Sequence, residues 1–88
     1  MDANRLVKKS DDFIANEVDG EIVMMNIETG TYISLNHTGK SIWNILETPA
    51  TIDAIVLKLV DLYGISKEQC EADVFPFLEQ LLEQKIIE

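Results

Sequence analysis

The chain has 88 residues, 16 acidic and seven basic side chains, and a formal net charge of −9. That length fits one domain with a small core, and 47% hydrophobic residues with only four Gly and two Pro mark a folded chain. The acidic balance opposes a partner held by its phosphates, and one Cys with one His is too few for an internal disulfide or a Cys/His zinc site.

Residues 1–12 read as a polar N-terminal tail, and 13–88 as a single domain. Arg5, Lys8 and Lys9 form a basic cluster on that tail, expected to be solvated. No stretch nears the roughly 20 apolar residues that span a bilayer, and the first residues lack the apolar region of a secretory signal. The expected location is the cytoplasm, with no membrane contact.

Phe13 to Val18 and Glu21 to Ile27 are strand-like runs joined by Asp19-Gly20, a dipeptide suited to the positive φ angles of a two-residue hairpin. Glu28-Thr29-Gly30 then leads into a third strand, Thr31 to Leu35, with Gly30 at the left-handed position. The result is a three-stranded antiparallel meander. Alternation places Thr31, Ile33 and Leu35 on one face of the last strand, with Tyr32 and Ser34 on the other. The middle strand is apolar on both faces, through Ile22 and Met24 on one side and Val23 and Met25 on the other. That second apolar face leaves room for a cover, including a homodimer.

Beyond Leu35 the hydrophobic period becomes helical. Asn36 or Thr38 caps a first helix carrying Ile42, Trp43, Ile45 and Leu46, ended by Pro49. Thr51 caps a second, with Ile52, Ile55, Val56, Leu59, Val60 and Tyr63 in one stripe and Gly64 as its stop. Ser66 with Gln69 forms a capping-box pattern for a third. On this third helix Cys70, Val74, Phe75, Phe77, Leu78, Leu81 and Leu82 spread over an arc of about 160°, wider than one core contact requires. Pro76 inside it removes a donor and is expected to kink it. Ile86-Ile87 follow as a packing segment.

No catalytic constellation stands out, and no cofactor or metal is expected. Cys70 on an apolar arc reads as a buried small residue rather than as a thiolate paired with His37. Glu68, Glu71 and Asp73 suit the positive end of a helix and lack the spacing of a Ca²⁺ loop. Trp43 reads as core, and Tyr32 is open between a structural and a ligand-contacting role. Two binding classes are left. A winged-helix DNA-binding transcriptional regulator needs cations on a recognition helix, yet the last two helices offer only Lys58, Lys67 and Lys85 among many carboxylates. A peptide adding to a free strand edge uses the features that packing alone leaves over.

The runs Asp19-Gly20-Glu21-Ile22-Val23-Met24-Met25-Asn26, Glu28-Thr29-Gly30-Thr31-Tyr32-Ile33-Ser34-Leu35-Asn36, Gly39-Lys40-Ser41-Ile42-Trp43 and Asp73-Val74-Phe75-Pro76-Phe77-Leu78 resemble the PqqD-like family. These are small recognition elements of ribosomal-peptide biosynthesis, also called RiPP recognition elements. The resemblance spans residues 13 to 87. It implies an α+β, winged-helix-like fold, a three-stranded antiparallel meander followed by three helices. It also implies a non-catalytic adaptor that binds the leader segment of a precursor peptide and presents it to a modifying enzyme. In the family the leader adds as a strand beside the third strand and lies on the third helix. Carried onto this chain, the peptide-binding residues are Thr31, Tyr32, Ile33, Ser34 and Leu35 with Asp73, Val74, Phe77, Leu78 and Leu81. Phe75 and Leu82 are the alternatives on the other edge of the arc, and Pro76 departs from the family's helix formers. The implied partner enzymes are a leader peptidase, a cyclase or a radical-SAM maturase, and the product a lasso peptide, another modified peptide or a quinone cofactor. Acidic residues of the third helix favour a leader with Lys or Arg flanking its apolar anchors.

Overall fold

A computed structural model describes residues 2–88. The strands are β1 (Leu6–Val7), β2 (Phe13–Val18), β3 (Glu21–Asn26), β4 (Tyr32–Leu35) and β5 (Ala50–Thr51), and the helices α1 (His37–Ile45), α2 (Ile52–Tyr63) and α3 (Lys67–Glu83). The α+β reading holds: β2-β3-β4 form an antiparallel meander, with the three helices following it in sequence.

Local chemistry sets the turns. Asp19 and Gly20 both take positive φ, 52° and 82°, as a two-residue hairpin turn demands. The second turn, Ile27 to Thr31, is two residues longer than expected. Ile27 leaves the strand and is exposed, its N–H donating to the Asp12 carbonyl at 2.9 Å. The Asn26 side chain accepts from the N–H groups of Glu28 and Thr29 at 2.9 and 3.0 Å, and Gly30 sits at φ 72°.

Each helix starts on a side-chain cap: Asn36 accepts from Gly39, Thr51 from Ala54 and Ser66 from Gln69. At α3 the second half of the expected capping box is redirected. The Gln69 amide reaches forward to Asp73 Oδ2 at 3.0 Å. Gly64 ends α2 in the left-handed conformation. Helix α3 runs on past Pro76 to a Schellman motif, in which Lys85 donates to the Leu82 carbonyl and Ile86 to that of Leu81, with Lys85 at φ 60°.

One expectation fails. The segment expected as a solvated tail is not one over residues 2–12, because Val7 is fully buried and β1 pairs with β5, Leu6 opposite Thr51. Lys8 and Ser10 then bond the backbone of Glu88 and Ile86, and the Lys9 ammonium lies 4.5 Å from the centre of the Trp43 ring. Trp43, expected in the core, is half-buried at its edge. This N-terminal strap seals Ile86 and Ile87 into the core.

That core joins Ile22, Met24 and Leu35 of the sheet to Ile42, Ile52, Ile55, Leu59, Cys70, Val74 and Leu78 of the helices. Among the described residues no helix is long and apolar enough to cross a membrane.

Candidate peptide groove

The free edge of β4 follows from the register. Met24 pairs with Ile33 and Met25 with Tyr32, and the Asn26 N–H donates to the Thr31 carbonyl at 2.9 Å. Bonded pairs alternate along an antiparallel ladder. Ile33 and Leu35 therefore spend their main-chain groups on β3, whereas the N–H and C=O of Tyr32 and Ser34 point away from the sheet. Two donors and two acceptors stand on an edge that no other strand among the described residues covers.

Beside that edge lies a groove of about 240 Å³ between β4 and α3. Ile33, Ser34, Leu35 and Asn36 form its sheet wall, and Phe77, Gln80, Leu81 and Gln84 its helix wall, with Ile86 at the end. The helix wall is an i, i+3, i+4, i+7 stripe, the spacing that places side chains on one face. No lining residue carries a charge. Apolar surface and amide groups together suit an extended segment that buries apolar side chains and bonds through its backbone.

The expected site residues are partly brought together. Ile33, Ser34, Leu35, Phe77 and Leu81 line the groove. Tyr32 is 70% exposed on the sheet's other face, and Thr31, also exposed, bonds the Thr29 hydroxyl. Leu78 and Val74 are buried in the core, so they support the helix wall from beneath instead of lining it. Asp73 and Val74 border a separate hollow with His37 and Tyr63. By helical phase Phe75 and Leu82 fall about 140° to 160° from Phe77, which puts them on the far edge of the arc. Asn36, Gln80, Gln84 and Ile86 escaped the sequence reading. The signal for the two glutamines was their position on the Phe77 stripe.

Cys70 is fully buried, its Sγ 3.7 Å from the Val56 carbonyl. Burial pushes its thiol pKa up, with the Asp73 and Glu71 carboxylates adding to the shift. This is the reverse of what an activated nucleophile needs. Near His37 the ring of Tyr63 packs edge-on at 5.8 Å, and the Tyr63 hydroxyl meets Ser41 Oγ at 2.6 Å.

The family model for coenzyme PQQ synthesis protein D (PqqD) matches residues 21–87. The solved structure of TbiB1 in complex with the TbiA(beta) leader peptide is similar to this chain. Its TM-score is 0.81 at 31% identity, covering 92% of this chain and 94% of that one. Among curated proteins, none matches. The uninterrupted match from the β2–β3 hairpin to the packed C-terminus, on the same architecture of meander and helices, establishes that the chain belongs to the PqqD family.

Proposed function

We propose that this chain is a non-catalytic adaptor that binds the leader segment of a ribosomally made precursor peptide and presents it to a modifying enzyme or leader peptidase. The observation that carries the reading is the free β4 edge, with the main-chain groups of Tyr32 and Ser34 directed outward beside an uncharged groove. A leader laid there gains backbone bonds from the edge, and every second side chain enters the groove between Ile33 and Phe77. The likeness to TbiB1, solved with a leader peptide, supports this. In this reading Thr31 to Leu35 contribute the strand, Phe77, Leu81, Gln80 and Gln84 the helix wall, and Asp73 the open end.

The test is a titration of the labelled protein with a synthetic leader from the precursor encoded beside its gene, followed by amide NMR. Saturable shifts at Tyr32 and Ser34 are expected, along with weaker binding in Ile33→Asp than in Lys58→Ala once circular dichroism shows both folded. A flat titration with that leader removes the reading.

A further inference from the structure

The outer face of the sheet is a surface that the groove does not use. Cross-strand register sets Ile14, Met25 and Tyr32 side by side, Val23 between Asn16 and Ser34, and Val18 opposite Glu21. Ile14 and Val18 are about half exposed, and a hollow of about 230 Å³ lies among these residues. Glu21 is the one charged side chain that alternation places on this face. Three strands of up to six residues give it an area of about 300 Å², and no element among the described residues covers it.

Its surroundings are predominantly acidic, with Lys40, which donates to the Gly20 carbonyl at 2.6 Å, the one cation at the hairpin turn among the described residues. Residues 11–36 hold six carboxylates and no Lys or Arg. Glu17 is paired, to Lys40 at 2.7 Å. The Asp12–Ile27 backbone bond brings Asp11, Asp12 and Glu28 to one end of the face, and the hairpin turn places Asp19 and Glu21 at the other.

We infer that this face docks the enzyme that acts on the bound leader, through an apolar patch on that enzyme bordered by Lys or Arg. Charge rejects a second copy of the chain. A twin would set the same carboxylates against one another. Continuity favours the enzyme. A leader strand on β4 extends the Ile14–Met25–Tyr32 row by one more residue, so one docking surface meets both adaptor and leader. This inference rests on the leader-binding reading, and it follows that leader and enzyme tighten each other's binding.

The test uses the full chain, the synthetic leader and the purified modifying enzyme encoded beside the gene, in two separate titrations. Ile14→Glu and Val18→Glu change exposed side chains and are checked by circular dichroism. Expected are a leader affinity within about twofold of the parent and an enzyme affinity at least about tenfold weaker. Added salt weakens the parent's binding to enzyme, and leader strengthens it. Three results overturn the inference: enzyme affinity unchanged in both variants, no enzyme binding by the leader-loaded parent, or a parent dimer in sedimentation that Ile14→Glu dissolves. A flat leader titration alongside enzyme binding that Ile14→Glu abolishes keeps the docking face and removes the groove reading.

Discussion

Phe77 of α3 rests against Gly39 of α1 so closely that a Cβ built on Gly39 would stand 3.1 Å from the ring's Cζ. The same Cβ would meet Leu35 Cβ at 3.3 Å and the capping Asn36 Oδ1 at 3.4 Å. A glycine in the first turn of α1 thus sets the position of one groove wall. Gly39→Ala gains about 1 kcal/mol of helix propensity and displaces Phe77 by a few tenths of an ångström. Stability is expected to stay within about 1 kcal/mol of the parent, while leader Kd rises about fivefold or more. Denaturant unfolding and a leader titration read the two separately.

The direction of the β4 main chain separates two neighbouring prolines. Ser34→Pro removes an N–H that faces solvent, which an edge strand tolerates, whereas Ile33→Pro removes one that bonds β3. Ser34→Pro is expected to fold with near-parent circular dichroism and to bind leader at least about tenfold more weakly. Ile33→Pro is expected to lose its folded spectrum.

In the leader-binding reading, an uncharged groove predicts binding insensitive to salt. Raising salt about tenfold is expected to change leader Kd by less than about threefold, whereas a phosphate-binding protein loses about a thousandfold or more over a smaller range. The expectation of Lys or Arg flanking the leader's apolar anchors is compatible with this: Asp73 stands outside the groove lining, where it would meet the leader's flank.

Lys85 holds the left-handed position of the Schellman motif after α3, at φ 60°. A residue with a Cβ costs about 1 kcal/mol there. Lys85→Gly is expected to raise Tm by about 5 °C, with leader binding unchanged. Calorimetry checks this.

What local chemistry dictates was legible in the sequence. Asp19-Gly20, Gly30, and the caps Asn36, Thr51 and Ser66 each act on backbone groups a few residues away, so turns and helix starts could be read within short windows. Val7 could not be. Its partner strand, Ala50–Thr51, lies 43 residues further on, and the flanking Lys8-Lys9 reads as a solvated segment until Trp43 and Glu88 are brought beside it. Helical period placed Leu78 and Phe77 on one arc, yet only the packing of α3 against its neighbours puts Leu78 in the core and Phe77 on the groove. Gln80 and Gln84 share the Phe77 stripe, but an amide on a groove wall has the same composition as one in water, so that spacing alone did not mark them as lining.

The buried Cys70 thiol gives the fold a pH limit. Burial and the Asp73 and Glu71 carboxylates raise its pKa in the folded protein, so over the range between the unfolded and folded values the unfolded chain holds fewer protons. Stability is therefore full below the unfolded thiol's pKa of about 8.5 and falls as pH rises above it. Cys70→Ala is expected to flatten that part of the decline in denaturant unfolding at stepped pH. Native Cys70 is also expected to resist alkylation at neutral pH.

The short ladder between residues 8–10 and 86–88 gives the molecule a mechanical polarity. The two strands run antiparallel with Lys8 beside Glu88, so tension applied between residue 8 and residue 88 loads the hydrogen bonds one at a time, as in a zipper, instead of all together in shear. Once β1 has peeled from β5, the ladder opens at small force, and Ile86 is among the first groove residues released. A precursor threaded into an unfolding machine while tethered to this chain would thus lose its binding groove before the sheet or the helix bundle gave way.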